Sequence, residues 1–224
     1  MSLVPAEYIG LARAFRSAAM SEHPRAVALM DRIVAPLRGR FHARQTPTSG
    51  AFARIASSWA AQVPEAGRLS LATNATPRRL TITETRLAPS KFNFDHWADG
   101  DKETAVVITR TDLTVTLDRF HFDMAPIASV PLHGLARRYQ RGWTNSAAAI
   151  KADLCALATT PEHVFMAGGD FSVPAADDGK WVGVVTEIDH QGTPWLLLVV
   201  RTFRDAGMSA RATQNHTETM ELSV

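Results

Sequence analysis

Residues 129–158 constrain the fold more than any other stretch, because they place two predicted helices between two strand-rich regions. Four apolar side chains of the first helix recur at the spacing of one helix face: Leu132, Leu135, Ala136 and Tyr139. Ser129 is suited to the N-cap position and Pro131 to the first turn. Gly142 can adopt a left-handed conformation and is predicted to end the helix. A second helix is predicted over 146–158, with its cap just before it.

The N-terminal part of the chain is predicted to be helical and the part after it to form strands. Residues 1–66 show the 3.6-residue periodicity of three helices. From there to Pro126, apolar and polar residues alternate, which predicts a meander of strands that Pro126 closes before the helix pair. Within the meander, separate strands are predicted to begin at Val106 and at Leu113.

Three more strands are predicted after the helix pair. The first covers 164–173 and is interrupted at Gly168, whereas the last, 195–203, is apolar enough to lie inside the sheet with both faces buried. These patterns predict an α+β fold with N-terminal helices and a mainly antiparallel mixed sheet that contains the inserted helix pair. We expect one domain, with the N-terminal helices packed on a core of 67–204 and followed by a tail of 205–224.

Composition favours an ordinary globular protein. Of the 224 residues, 46% are apolar and 21% are charged. No apolar run reaches the ~18 residues that can span a bilayer, and the first residues lack the pattern of a secretory signal. A single cysteine, Cys155, excludes an intrachain disulfide and a zinc site with several cysteines. These features predict a cytoplasmic protein that does not contact a membrane.

Arginine dominates the cationic side chains, with 20 arginines against 4 lysines and a formal net charge of +2. Guanidinium groups make planar, bidentate contacts with phosphates, so this bias favours RNA or DNA as a partner. Codon usage in a GC-rich genome would produce the same composition. The positions of the arginines are therefore more informative than their number.

Motifs for phosphate-binding loops, dinucleotide-binding turns, zinc hydrolases and serine nucleophile elbows are absent from the sequence. The closest cluster of metal-ligand residue types lies in one loop: Asp95, His96, Asp99 and Asp101. Aspartates in such a loop are also typical of solvated turns. His121 and Asp123 alternate along a strand and should share a wet face. We therefore predict neither a metal nor a cofactor.

The polar stripe of the first predicted helix is the best candidate site, because it carries His133, Arg137 and Arg141 on successive turns. A histidine exchanges protons near neutral pH, and arginines on the following turns can hold a phosphate and stabilise developing charge. The first helical turn also favours an anion. The prediction assigns catalysis to His133, Arg201 and Thr202, and phosphate binding to Arg137, Arg138, Arg141 and Arg204.

The same stretch supports other interpretations. Two helices joined by a short break resemble a helix-turn-helix in outline, although the second helix is poor in side chains that read bases. Cys155 and His133 could form a nucleophile pair, but a cysteine among alanines in mid-helix is typical of packing. The basic face could also be solvated, or could dock an acidic protein or a second copy of the chain. Binding of a small ligand beside His121 and Trp97 is a further alternative.

Helices followed by an antiparallel sheet, with His133 and the later pair Arg201 and Thr202, are broadly similar to the small metal-independent ribonucleases. The resemblance is one of outline, without a shared motif, and it implies a phosphodiesterase that cleaves RNA without a metal. We therefore expect a protein that interacts with nucleic acid, and cleavage by His133 is the enzymatic form of this hypothesis. The sequence leaves open whether the chain is an enzyme.

Overall fold

The structure, a computed structural model, describes residues 4–42, 47–89, 106–142, 145–175 and 179–205. Three helices come first: α1 Ala6–Ser21, α2 His23–His42 and α3 Ser49–Gln62. Four strands follow: β1 Arg68–Thr76, β2 Arg79–Pro89, β3 Val106–Thr116 and β4 Phe120–Val130. Next come three helices: α4 Leu132–Arg141, α5 Ala147–Ala158 and α6 Glu162–Ala167. The last strands are β5 Gly169–Pro174, β6 Lys180–His190 and β7 Thr193–Arg204.

The described strands form one mixed sheet with the order β1-β2-β3-β4-β7-β6-β5. Neighbouring strands are antiparallel except β4 and β7, which run parallel where Ala128 pairs with Leu198 and Ser129 with Val199. β7 therefore lies inside the sheet, and residues 197–200 are buried, as their apolar run predicts. The predicted α+β fold with N-terminal helices and an inserted helix pair is confirmed.

Two apolar cores lie on opposite faces of β2. Leu80 and Ile82 belong to the core that α2 and α3 cover, and Trp59 of α3 is fully buried there. Leu87 belongs to the core formed with α1, α4 and α5. Because side chains alternate along a regular strand, Ile82 and Leu87 project from opposite faces. The sheet is thus enclosed by helices on both sides, with α4 and α5 together on one of them.

The meander differs from its sequence prediction in two places. β3 is one continuous strand, paired residue by residue with β2, where separate strands beginning at Val106 and Leu113 are predicted. Pro126 lies within β4 and does not end it, because the chain accommodates the proline beside a bulge. Ile127 is the extra residue of that bulge, since Pro126 pairs with Thr109 and the next pair involves Ala128.

A short helix replaces the first part of the strand predicted over 164–173. α6 has six residues, and Gly168 and Gly169 follow it with φ of 65° and 66°. Side chains other than hydrogen rarely adopt this conformation, so the two glycines separate α6 from β5. They mark the boundary between two elements, where the sequence predicts an interruption within one strand.

The ends of α4 and α5 also differ from the prediction. Pro131 is the N-cap of α4, whereas Ser129 is buried in β4. Gly142 ends α4 with a φ of −78°, so the predicted left-handed conformation is wrong. A Cβ at Gly142 would overlap the guanidinium of Arg138, which accounts for the glycine. Ser146 is itself the cap of α5, since its side chain accepts a hydrogen bond from the backbone three residues later.

Three further predictions concern the membrane, the tail and the domain organisation. No helix in the described ranges combines the length and apolarity that crossing a bilayer requires. The predicted tail lies outside the described residues except for Asp205, which follows β7 directly. The organisation as one domain, with a boundary near residue 66, stays a prediction.

Candidate functional site

α4 lies along the edge of β7 that β4 leaves open. β4 pairs with β7 only at Ala128 and Ser129, after which the chain turns into α4. α4 packs against β7 so closely that a Cβ at Gly134 would lie 3.7 Å from Cγ1 of Val200. Beyond Val200, side chains of α4 contact the edge of β7 where a neighbouring strand would otherwise lie. Covering an edge in this way satisfies backbone groups that would otherwise be open to other chains.

Two of the predicted site residues hold the backbone of β7. Nε2 of His133 lies 2.6 Å from the carbonyl oxygen of Arg201. Because a carbonyl only accepts hydrogen bonds, Nε2 carries a proton and donates it. Nη1 of Arg141 donates to the carbonyl oxygen of Phe203 at 2.6 Å. His133 and Arg141 therefore fix α4 to the part of β7 that β4 does not reach.

A bulge shapes this part of β7. In the ladder with β6, Thr202 and Val200 each have a partner residue, and Arg201 between them is the extra residue. The insertion shifts the alternation of side chains, so Phe203 joins the same core as Val200. The Arg201 side chain is exposed, while its carbonyl points to His133. At the bulge, the guanidinium and the carbonyl of Arg201 therefore point in different directions.

The predicted catalytic residues are neighbours, but their functional groups do not converge. Nη1 of Arg201 lies 3.8 Å from Oδ1 of Asp170 on β5, and these side chains are 61% and 82% exposed. An ion pair with this exposure is weak. Thr202 is half-buried, and its Oγ1 lies 3.4 Å from the carbonyl oxygen of Phe203. His133 therefore meets Arg201 through its backbone and not through its guanidinium.

Three guanidinium groups gather at the end of α4 and β7, and we call Arg137, Arg141 and Arg204 the cationic edge. Burial lowers the pKa of Arg141, the charges of Arg137 and Arg204 lower it further, and Asp205 opposes them. Arg137 is half-buried and donates to Oε1 of Gln140 at 2.7 Å, whereas Arg204 is exposed. Because like charges repel at this range, the cationic edge favours an anion beside it.

Arg138 does not belong to the cationic edge, although the sequence prediction groups it with the phosphate-binding residues. Its side chain is fully buried and forms an ion pair with the fully buried Asp153 of α5. Its guanidinium also lies 5.2 Å from the centre of the Phe203 ring. A guanidinium enclosed in this way cannot reach a phosphate in solvent. Arg138 is therefore a core residue that joins α4 to α5 and β7.

The sequence analysis does not identify Asp153 as a partner of Arg138, although the pattern of α5 indicates that this carboxylate is buried. It shares the helix face of Ile150, Leu154 and Leu157, all of which are fully buried. A carboxylate on such a face requires a cation or several donors. Nε1 of Trp181 donates to the Asp153 carbonyl at 3.0 Å, so this residue also connects α5 to β6.

Among the described residues, the other candidate positions from the sequence are not brought together into a second site. The loop that contains Asp95, His96, Asp99 and Asp101, and Trp97 with it, lies outside the described residues. His121 and Asp123 are exposed on β4, which confirms the predicted wet face. Within the described ranges, no group of three or more His, Cys, Asp or Glu side chains could hold a metal ion. Cys155 is half-buried on α5.

Comparisons with known proteins do not extend these observations. No protein-family model, curated protein or solved structure matches this chain. The features of this chain that bear on function are therefore the cationic edge and the contacts between α4 and β7.

Proposed function

We propose that the protein binds the phosphate backbone of a nucleic acid through the cationic edge. The observation that carries this proposal is the convergence of basic side chains from two elements. Arg137 and Arg141 lie one turn apart on α4, and Nη1 of Arg141 donates to the carbonyl oxygen of Phe203, the residue before Arg204 on β7. Among the described charges that act on Arg141, one carboxylate, that of Asp205, opposes two guanidinium groups. A phosphate beside them would relieve the repulsion and accept charge-assisted hydrogen bonds.

The geometry favours contact with consecutive phosphates and not with bases. Arg137 and Arg141 lie one helical turn apart, which is about 6 Å along the axis. One strand of a duplex advances about 3.4 Å along the helix axis per phosphate, so this distance spans about two phosphate steps. Arg204 reaches the same place from β7. Because guanidinium–phosphate contacts carry no sequence information, the proposal covers RNA and DNA alike.

The test replaces Arg137 and Arg204 and keeps Arg141, whose guanidinium donates to the Phe203 carbonyl. In Arg137→Gln with Arg204→Gln, we expect the slope of log K against log salt to fall in magnitude by about 1.4, because each lost phosphate contact with a single strand removes about 0.7. Affinity at low salt should fall by about 10–100-fold. Fluorescence anisotropy with labelled single-stranded RNA and DNA, between 25 and 200 mM salt, measures both quantities.

The matched control carries Arg78→Gln and Arg119→Gln, which remove the same charge from two exposed hairpin turns. This variant should bind like the wild type. Equal weakening in both double variants would show that net charge and not the cationic edge drives binding, and absence of salt-dependent binding by the wild type would refute the proposal. Competition by polyglutamate as strong as by RNA would instead favour the alternative of a non-catalytic module that docks an acidic protein.

Phosphodiester cleavage is the enzymatic form of this proposal and stays a prediction. Two contacts favour binding over cleavage. Nε2 of His133 gives its proton to the Arg201 carbonyl, and the Arg201 guanidinium turns toward Asp170. A general acid or base must reach the group whose proton it transfers, so His133 would have to release that carbonyl or act through its other ring nitrogen.

We expect any RNA cleavage by the pure protein to persist in EDTA and to fall at least about 100-fold in His133→Gln, which removes the imidazole that would transfer the proton. A glutamine amide can still donate to the Arg201 carbonyl, so the variant preserves the contact between α4 and β7. A fluorogenic RNA substrate measures the rate, and thermal unfolding checks the fold. Cleavage that EDTA abolishes, or that His133→Gln retains, would exclude His133 as the catalyst.

A further inference from the structure

A small cleft lies where the α1–α2 junction meets the beginning of β1 and the end of β2. Its charged and titratable lining consists of Glu22, His23, Arg68 and Arg86. Its cavity volume is about 10 Å³, close to the space that one water molecule needs. The cleft shares no residue with the cationic edge.

Arg86 gives this cleft a pair of buried donors. The residue is 3% exposed, and its Nη2 forms an ion pair with the fully buried Glu84. Glu84 also accepts a hydrogen bond from Nε1 of Trp59 at 3.1 Å, so both of its oxygens are engaged. Nε and Nη1 of Arg86 have no hydrogen-bond partner among the described residues. Because buried donors of a charged group are costly to leave unmatched, an acceptor is required beside them.

The charges around the cleft favour an anionic acceptor. Of the lining side chains, Arg68 and Arg86 are cationic and Glu22 is anionic. Glu22 lies 3.9 Å from the exposed Arg25, and Arg68 lies 3.3 Å from the exposed Glu65, so the rim charges are directed outward. Nε and Nη1 of Arg86 are buried guanidinium donors of a residue that lines this cleft.

We propose that the Arg86 cleft binds a small monovalent anion of the halide class, held by the N–H groups on Nε and Nη1. A cleft of this size is too small for phosphate or sulfate, so a single-atom anion is the class we propose. The bound ion touches the α1–α2 junction and β2 at once, so it stabilises the packing of the N-terminal helices on the sheet. This function is independent of nucleic-acid binding.

Bromide is the probe, because it resembles chloride and scatters anomalously. In crystals soaked in sodium bromide, we expect an anomalous peak within hydrogen-bonding reach of Nε and Nη1 of Arg86. In solution, 100 mM sodium bromide should raise the midpoint of thermal unfolding by about 2–4 °C relative to 100 mM sodium gluconate, whose anion is too large for the cleft. Ionic strength is equal in the two buffers, so general screening cancels.

The test variant combines Glu84→Gln with Arg86→Met, which removes both charges of the buried pair and leaves an acceptor for Trp59. It should lose the peak and the bromide-dependent shift, whereas Arg204→Gln should keep both. A bromide-dependent shift that survives in the double variant would overturn the proposal. Crystals of the wild-type protein test the proposal without any variant. An ordered water beside Arg86 in place of the bromide peak would overturn the proposal, and so would the Glu22 carboxylate in that position.

Discussion

Replacing Arg138 with methionine is expected to destabilise the protein by about 3–5 kcal/mol. The change leaves the carboxylate of Asp153 in a fully buried position without its cation. It also removes the guanidinium that lies over the ring of Phe203. Urea denaturation measures the effect as a lower midpoint at unchanged slope, because the surface exposed on unfolding stays nearly the same.

A second substitution should restore most of this loss. Arg138→Met with Asp153→Leu replaces the buried ion pair by apolar side chains, and such replacements are often neutral or stabilising. The backbone carbonyl of residue 153 still accepts the hydrogen bond of Trp181. Arg204→Met is the exposed control and should change stability by less than about 0.5 kcal/mol. A double variant as unstable as the single one would show that the ion pair is not the cause.

Gly183→Ala is expected to destabilise the protein by about 2–3 kcal/mol. A Cβ at Gly183 would overlap the backbone oxygen of Val199 and come within 2.8 Å of the Phe171 ring. A backbone oxygen inside a ladder cannot move aside as a flexible side chain can, so β6 and β7 would have to separate. Gly183 pairs with the residue just before the Arg201 bulge, so the same change should displace the carbonyl that His133 binds.

A matched glycine provides the control for this prediction. Gly10 lies within α1, and a Cβ there would meet nothing within 4 Å. Gly10→Ala should therefore stabilise the protein by about 0.5–1 kcal/mol, because alanine loses less backbone entropy on forming a helix. Thermal unfolding of the two variants should give shifts of opposite sign. Equal tolerance of both changes would mean that β6 does not approach β7 as closely as described.

The sequence predicts those parts of the fold whose burial has a regular period. The apolar face of α4 is buried at all four predicted positions, and the apolar run of β7 lies inside the sheet. α6 is missed because six residues are too few to show a helical period. The bulge beside Pro126 is missed because it depends on the partner strand, and nothing in the local pattern specifies it.

The site is harder to predict, because its contacts join residues far apart in the chain. Arg137 and Arg138 are adjacent in sequence, yet Arg137 is half-buried beside Gln140 and Arg138 is enclosed in the core. What separates them is the position of Asp153, which only the packing of α5 against α4 determines. The approach of His133 to Arg201 depends in the same way on a bulge that has no sequence signature.

The parallel pairing of β4 with β7 has a consequence for how the chain is made. β1 to β4 leave the ribosome well before β7, so the outer edge of β4 has no neighbour until the last strand has been synthesised. An unpaired edge is a template for strands of other molecules. α4 follows β4 directly in the chain, but the edge that it covers is that of β7. It therefore does not protect β4. Nascent or truncated chains that stop before β7 are therefore the forms of this protein most prone to self-association.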